Sequence, residues 1–220
     1  MNSTLFIFGA GDGAIELLEN FDGNQLCKYF QIFCVVDKIE KKFLYVNYEY
    51  MLPTIKHCIT ISYKEFKERI LNFNYKLINS VMDCDYKERI YLENKERDWA
   101  KFILGNSTVL CKLQIGTIIM PQVFIGSTVE LGKFVKVNHG AKLLVNSSVG
   151  DYSFIGTNSM LLANSKVGSK TLIYSGVTIL PNINIGNNTV IGAGSVVTKD
   201  IGDNVVAYGN PCKVVRENEG

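Results

Sequence analysis

The feature that most constrains this chain is a period of six residues in its second half. Stepping by six from Leu113 to Val197 meets an aliphatic residue at every one of fifteen positions, without an insertion. The positions are Leu113, Ile119, Ile125, Leu131, Val137, Leu143, Val149, Ile155, Leu161, Val167, Ile173, Ile179, Ile185, Ile191 and Val197. A fixed short period predicts a solenoid in which each repeat packs mainly on its neighbours.

The residues two places before each aliphatic position are small or β-branched, as Ser153, Ser159 and Thr171 illustrate. Each six-residue strand and turn is therefore predicted to form one side of a triangular prism, with the aliphatic residue inside and the small residue beside it. Three sides of six residues close one coil. Glycine often follows the aliphatic residue directly, and we expect these glycines to adopt positive φ at the corners. They are Gly126, Gly132, Gly150, Gly156, Gly168, Gly186 and Gly192.

The first half of the chain has a different pattern. Apolar runs such as LFIFGAG and IFCVVD alternate with charged, helix-like stretches such as ISYKEFKERILNF. This alternation predicts a small α/β unit with a parallel sheet. Ser62, with Glu65 three residues later, matches a capping box and predicts that a helix begins there. Because most charged residues lie in this half, we expect one domain at 1–100 and a second at 101–220.

Composition limits the classes of partner that the protein is expected to bind and the cellular compartment in which it is expected to lie. The net charge of +2 does not favour nucleic-acid binding, and the N-terminal apolar run LFIF is too short for a signal peptide or a membrane span. The six cysteines contain no CxxC pair, which argues against a disulfide framework or a zinc site. We therefore expect a cytoplasmic protein that binds neither nucleic acid nor membranes, and no metal.

The hexads, followed by GAGSVVTKDI and YGNPCKVVR, resemble the bacterial hexapeptide-repeat transferases, in which Ala usually stands at the place of Cys212. The N-terminal FIFGAGDGA and the VNH motif around His139 narrow the resemblance to the nucleotide-amino-sugar N-acetyltransferases typified by PglD and its sialic-acid-pathway relatives. The resemblance implies an α/β, Rossmann-like βαβ domain followed by an all-β left-handed parallel β-helix. It also implies a homotrimer that binds acetyl-CoA in a groove between adjacent β-helices.

The implied reaction is N-acetylation of a UDP-, dTDP- or GDP-linked 4-amino-4,6-dideoxyhexose in surface polysaccharide or glycoprotein biosynthesis. His139 lies two residues after Val137, at a predicted corner on the outside of the prism. Position alone fits either a solvated surface histidine or a catalyst. The resemblance implies that His139 is the general base that removes a proton from the attacking amine. Relatives commonly carry Glu or Asp after this histidine, whereas Gly140 follows it here, so the group that orients the ring is left open.

The N-terminal GAGDGA matches a glycine-rich turn between a strand and a helix, and Asp37 ends the next predicted strand. A tight βα turn explains these glycines without a ligand, and a dinucleotide-binding oxidoreductase is a rival, although about 100 residues are few for that fold. We interpret the motif as the nucleotide-sugar site. Gly9, Gly11, Asp12 and Gly13 are predicted near the diphosphate or sugar, and Asp37 near the base or ribose.

The acetyl-CoA site is predicted along the corner that carries His139. A backbone N–H at Gly156 or Thr157, one coil after His139, would donate to the thioester oxygen as it gains charge. The predicted coenzyme A residues in this column are Gly156, Thr157, Ser169, Ser175 and Asn187, and Lys199 and Lys213 are candidates for its phosphates.

Three other classes of protein share parts of this sequence pattern. A γ-type carbonic anhydrase uses the same helix but needs three metal-binding histidines, whereas this chain has two, with His57 outside the repeats. An O-acetyltransferase acting on a sugar or amino-acid hydroxyl shares the β-helix and the histidine. A purely structural β-helix shares the repeats alone and would tolerate His139→Asn.

Overall fold

The computed structural model describes residues 3–8, 30–36, 58–69, 75–80 and 83–219. The chain forms two compact units, Met1–Ala100 and Lys101–Gly220. Within the described residues, no helix is long and apolar enough to cross a membrane.

Unit 1 contains a parallel sheet of four strands. They are β1 (Ser3–Phe8), β2 (Phe30–Val36), β3 (Cys58–Ser62) and β4 (Tyr75–Asn79), in the order β3-β2-β1-β4. This order is that of the first four strands of a doubly wound sheet. Helix α1 (Tyr63–Arg69) begins directly after Ser62, where the capping-box pattern predicts a helix start. The predicted parallel sheet is present, whereas the Rossmann-like βαβ description stays a prediction because 9–29 and 37–57 lie outside the described residues.

The second described helix, α2 (Cys84–Glu93), has Asp83 as its N-cap. The Asp83 carboxylate accepts a hydrogen bond from the Tyr86 N–H at 2.8 Å. An aspartate at this position satisfies an N–H that has no partner within the helix. The helix buries Ile90 and Tyr91, and Tyr91 packs on Trp99 with ring centroids 6.2 Å apart. Trp99 in turn contacts Phe8 of β1, so these aromatic contacts tie α2 to the sheet within unit 1.

Unit 2 is a left-handed parallel β-helix of two-residue strands that pair coil on coil. The first sheet contains β5 (Phe102–Ile103), β7 (Ile118–Ile119), β10 (Lys136–Val137), β13 (Phe154–Ile155), β16 (Leu172–Ile173) and β19 (Val190–Ile191), and ends with β21 (Val205–Tyr208) and β22 (Lys213–Glu217). The second contains β6 (Thr108–Val109), β8 (Phe124–Ile125), β11 (Lys142–Leu143), β14 (Met160–Leu161), β17 (Thr178–Ile179) and β20 (Val196–Val197). The third contains β9 (Glu130–Leu131), β12 (Ser148–Val149), β15 (Lys166–Val167) and β18 (Asn184–Ile185).

All fifteen aliphatic residues of the six-residue series lie in one buried core, which confirms the hexad prediction. The small hydroxyl residues beside them are also buried, and their hydroxyls bond backbone carbonyls. Ser153 donates to Gly168 O at 2.8 Å, and Ser159 donates to Tyr174 O at 2.8 Å. A buried hydroxyl without such an acceptor would destabilise the fold, so these bonds explain why Ser and Thr recur there.

The turns between the sheets form three edges of the prism. The histidine edge follows the first sheet, at 120–122, 138–140, 156–158, 174–176 and 192–194. The leucine edge follows the second sheet, at 126–128, 144–146, 162–164, 180–182 and 198–200. The ladder edge follows the third sheet, at 132–134, 150–152, 168–170, 186–188 and 202–204.

The prediction that the glycines after the aliphatic residues have positive φ is wrong. The positive φ values fall two residues later, mostly on Asn or Gly, for example 57° at Asn146, 56° at Asn158 and 71° at Gly176. Asn and Gly reach this region more readily than other residues. With the exception of Gly126, the glycines directly after the aliphatic residues are needed for a different reason, which is close stacking of the coils: a Cβ on Gly150 would lie 2.5 Å from the Ser169 nitrogen of the next coil.

The leucine edge differs from the other two in its residues. Leu144, Leu162 and Leu180 stand where the other edges mostly carry glycine, and each is only half-buried. The positive-φ asparagines on this edge are joined by side-chain hydrogen bonds from coil to coil. Asn146 Nδ2 donates to Asn164 Oδ1, and Asn164 Nδ2 donates to Asn182 Oδ1, both at 3.1 Å. The edge is therefore rigid and presents apolar side chains partly to solvent.

The C-terminal segment closes the last coil. β21 pairs parallel with β19, and β22 returns antiparallel to β21. Cys212 is buried in the core between them, and burial raises the pKa of its thiol.

Candidate active site

His139 lies on the histidine edge, in the turn after β10, and its ring is half-buried. Its backbone carbonyl accepts a hydrogen bond from the Asn158 N–H of the next coil at 2.8 Å. The turns that carry His139 and Thr157 are thus stacked in register, at the strand spacing of about 4.8 Å. The predicted corner position of His139 is confirmed, whereas its catalytic role stays a prediction.

Asn138, which the sequence analysis missed, has a side chain that contacts the His139 ring. Asn138 Oδ1 lies 2.8 Å from His139 Nδ1 and also accepts the His139 backbone N–H at 3.0 Å. Asn138 itself is buried, with 9% of its surface exposed. Asn138 therefore holds the ring where relatives of the resembled family use the residue after the histidine.

The geometry of Gly140 explains why no carboxylate follows His139. Gly140 has φ 66°, and a Cβ there would overlap the side-chain oxygen of Asn158. An Asp or Glu at 140 would meet both the strained backbone and this contact.

The two backbone N–H groups predicted to bind the thioester oxygen differ in their availability. Gly156 is buried, and its N–H donates to Ile173 O at 2.7 Å, so it has no capacity for a ligand. The Thr157 N–H donates no hydrogen bond to any of the described residues, and Thr157 is half-buried. Thr157 is therefore the candidate donor of the pair, one coil from His139.

The five predicted coenzyme A residues do not share one column, which corrects the sequence interpretation. Gly156, Thr157 and Ser175 lie on the histidine edge, whereas Ser169 and Asn187 lie on the ladder edge. Residues that stack are separated by one full coil, as the pairing of β10 with β13 demonstrates, and Ser169 and Asn187 do not have that spacing from His139. Whether any of the five binds coenzyme A stays a prediction.

On the ladder edge, side-chain oxygens accept backbone N–H groups from the coil before. Asp151 accepts from the Lys133 N–H at 2.9 Å, and Asn187 Oδ1 accepts from the Ser169 N–H at 2.9 Å. The Asn187 N–H donates in turn to Asp203 Oδ1. These contacts give Ser169 and Asn187 a structural role that is independent of any ligand.

Two further features of the histidine edge concern ligand binding. Tyr174 is 42% exposed at a position where the two neighbouring coils carry Gly156 and Gly192. An aromatic residue between two glycines at the spacing of one coil is the sequence signal that would have identified it. Lys199 and Lys213, the phosphate candidates, are both exposed.

A surface cavity of about 680 Å³ lies elsewhere on the β-helix, beside β9 and β12 on the third sheet. Cys111, Lys112 and Gln114 of the first coil line one side of it, and burial raises the pKa of the Cys111 thiol. The cavity exists because the first coil contributes no strand to the third sheet, in which β9 is the terminal strand. It does not include His139.

The predicted substrate residues Gly9, Gly11, Asp12, Gly13 and Asp37 lie outside the described residues, as does His57. In the part of the chain that the structure describes, no three His, Cys, Asp or Glu side chains are grouped so that they could hold a metal ion.

Comparison with known proteins supports the assignment of the fold. The bacterial transferase hexapeptide family model, of six repeats, matches residues 164–199. No curated protein sequence matches the chain. A histidine-to-asparagine mutant of perosamine N-acetyltransferase from Caulobacter crescentus, in complex with CoA and GDP-perosamine, has a TM-score of 0.81 and 19% identity over 98% of both chains.

Two further solved structures have the same fold. The acetyltransferase domain of PglB from Neisseria gonorrhoeae, in complex with acetyl coenzyme A, has a TM-score of 0.82 and 18% identity, covering 98% of this chain and 100% of that one. WeeI from Acinetobacter baumannii has a TM-score of 0.66 and 18% identity, covering 97% and 100%. The resemblance drawn from the sequence is confirmed at the level of the fold.

Proposed function

We propose that this protein is an acetyl-CoA-dependent N-acetyltransferase that acetylates the amino group of a nucleotide-linked amino-dideoxy sugar. The amine nitrogen attacks the thioester carbon, the carbon–sulfur bond breaks, and coenzyme A leaves as its thiol. His139 takes the proton from the amine. The observation that carries the proposal is the match of nearly the whole chain to acetyltransferase structures that hold CoA with GDP-perosamine or acetyl coenzyme A.

The geometry of the histidine edge supports the chemistry. A half-buried imidazole and an N–H without a partner among the described residues lie on adjacent coils, at His139 and Thr157. A base beside the nucleophile and a donor beside the thioester oxygen are the two groups that acyl transfer needs. Because an amine is already a good nucleophile, positioning supplies part of the rate and the base supplies the rest.

The order of strands in unit 1 supports the proposed nucleotide-sugar site. In open parallel sheets, ligands bind beyond the carboxyl ends of the strands, at the point where the strand order reverses. Here the order reverses between β1 and β4, and β1 ends at Phe8, directly before the glycine motif. Its neighbour β2 ends at Val36, directly before Asp37. We assign Gly9, Gly11, Asp12, Gly13 and Asp37 to the nucleotide sugar on this basis.

The leucine edge supports the homotrimer. Leu144, Leu162 and Leu180, with Val145 51% exposed, form an uncharged apolar line over three coils. Packing between copies would remove this surface from water. A groove between two protomers is bounded by different surfaces of each, so Ser169 and Asn187 would reach acetyl-CoA from the protomer opposite Thr157 and Ser175. Cys111 and Cys212 are free thiols, which fits the proposed cytoplasmic location.

The test is release of thiol from acetyl-CoA by the purified protein. The acceptors are UDP-, dTDP- and GDP-linked 4-amino sugars, each paired with its 4-hydroxyl analogue. Release with one amino sugar and not with its hydroxyl analogue is the expected result. Release with the hydroxyl sugars alone would replace the proposal with O-acetylation. If no acceptor leads to thiol release, either from acetyl-CoA or from longer acyl-CoA donors, the enzyme assignment is refuted.

A further inference from the structure

The contact between Asn138 and His139 determines which ring nitrogen carries the proton. Asn138 Oδ1 accepts the His139 backbone N–H at 3.0 Å. A backbone N–H can only donate, so the atom of the Asn138 amide at this position must be the oxygen rather than the nitrogen. The orientation of the amide is therefore settled by the backbone and not by the ring.

The same oxygen lies 2.8 Å from His139 Nδ1. A carbonyl-type oxygen can only accept, so Nδ1 must be the donor, and the neutral ring carries its proton on Nδ1. The lone pair is left on Nε2. The opposite tautomer would place two lone pairs against each other at hydrogen-bond distance.

We infer that Asn138 is a positioning residue, which holds neutral His139 in the Nδ1–H tautomer so that Nε2 is the proton acceptor. The catalytic part of this inference rests on the proposed function, whereas the tautomer does not. Asn138 acts through His139 and not on the substrate. This assigns the orienting role that Gly140 cannot fill.

The position tolerates the substitutions that test the inference. Met120 occupies the same place one coil earlier and is fully buried, so an apolar side chain is compatible with this corner. Asn138→Leu keeps the approximate size and removes the acceptor oxygen. Asn138→Asp keeps an acceptor and serves as the matched control.

The experiment records long-range ¹H–¹⁵N correlations of the two histidine rings, with His57→Asn used to assign the His139 signals. We expect the Nδ1–H pattern in the wild type and in Asn138→Asp, and its loss in Asn138→Leu. An Nδ1–H pattern that persists in Asn138→Leu, or that is absent from the wild type, would overturn the inference. This measurement needs no substrate, so its failure is distinct from failure of the proposed function.

Steady-state kinetics with the accepted amino sugar then test the use of the tautomer. We expect kcat to fall on the order of 10²-fold in Asn138→Leu with KM for acetyl-CoA little changed, and to be largely retained in Asn138→Asp. A shifted tautomer with unchanged kcat would overturn the role of Asn138 in catalysis.

Discussion

The histidine edge and the ladder edge are built on the same turn but use its second residue differently. On the ladder edge, the N–H groups of Lys133, Ser169 and Asn187 donate to side chains of the next coil. On the histidine edge, the N–H groups of Thr157 and Ser175 donate to none of the described residues. One edge therefore uses the N–H of its second residue to hold coils together, whereas two of the corresponding N–H groups on the other edge have no partner among the described residues.

The largest effect is expected for His139→Asn on the histidine edge. Removing the base should lower kcat by about 10²- to 10⁴-fold while acetyl-CoA binding is retained. Steady-state kinetics and calorimetric titration with acetyl-CoA measure the two quantities. An unchanged kcat would mean that positioning of the amine is sufficient and that His139 is a surface residue.

Thr157→Pro removes the Thr157 N–H, which donates to none of the described residues, and so tests its role directly. Pro121 occupies the same place on this edge two coils earlier, so the turn accepts proline without losing a bond that the described residues make. If the Thr157 N–H binds the thioester oxygen, kcat should fall by about 10²- to 10³-fold with little change in stability.

Ala163→Pro on the leucine edge is the matched control, since Pro181 stands at the same place one coil later. Because this edge is also the proposed contact between protomers, the assembly of the variant is measured by light scattering, and with wild-type assembly we expect wild-type kcat. A Thr157→Pro enzyme with normal kcat would remove the oxyanion role from Thr157, and equal losses in both variants would assign the effect to the backbone.

The core of unit 2 was predictable from the sequence, since inward and outward positions repeat there with a local period. The reason for the glycines directly after the aliphatic residues was not predictable, because it depends on how closely one coil approaches the next. The separation of Ser169 and Asn187 from the His139 column was predictable, as their spacing is not a whole number of coils. The Asn138–His139 contact depends on a side-chain conformation that no periodic pattern contains.

Gly150→Ala tests whether the ladder edge is held by close stacking. The added Cβ would lie 2.5 Å from the Ser169 nitrogen and 2.7 Å from the Gly168 carbonyl carbon. We expect a loss of about 3 kcal/mol in the free energy of unfolding, because backbone cannot move aside as a side chain can. Gly202→Ala, on the same edge but with no atom within 4 Å of the added Cβ, should be nearly neutral in the same urea titration.

Asn187→Ala distinguishes the two roles assigned to the ladder edge. It removes the acceptor of the Ser169 N–H, so the free energy of unfolding should fall by about 1 kcal/mol. If Asn187 also contacts acetyl-CoA from a neighbouring protomer, KM for acetyl-CoA rises. A KM equal to that of the wild type would make Asn187 structural only.

The smallest effect is expected at Asp200, whose carboxylate accepts a backbone N–H of a neighbouring coil, as the Asn187 amide does, but can be protonated. Asp200 accepts the Asn184 N–H at 2.8 Å, and this backbone bond, then the Asn184 side chain, lowers the pKa of Asp200. A lowered folded-state pKa stabilises the fold above the unfolded value and loses that contribution as pH falls through the folded pKa.

The urea midpoint at about pH 6 and at about pH 2.5 should therefore differ more in the wild type than in Asp200→Asn, whose amide oxygen accepts without titrating. Because Asn164 and its partners Asn146 and Asn182 are all neutral, Asn164→Ala should lower the midpoint equally at both values. Equal pH dependence in the wild type and Asp200→Asn would mean that the charge of Asp200 adds nothing to its hydrogen bond, and that neutral and charged side chains hold the coils together equally well.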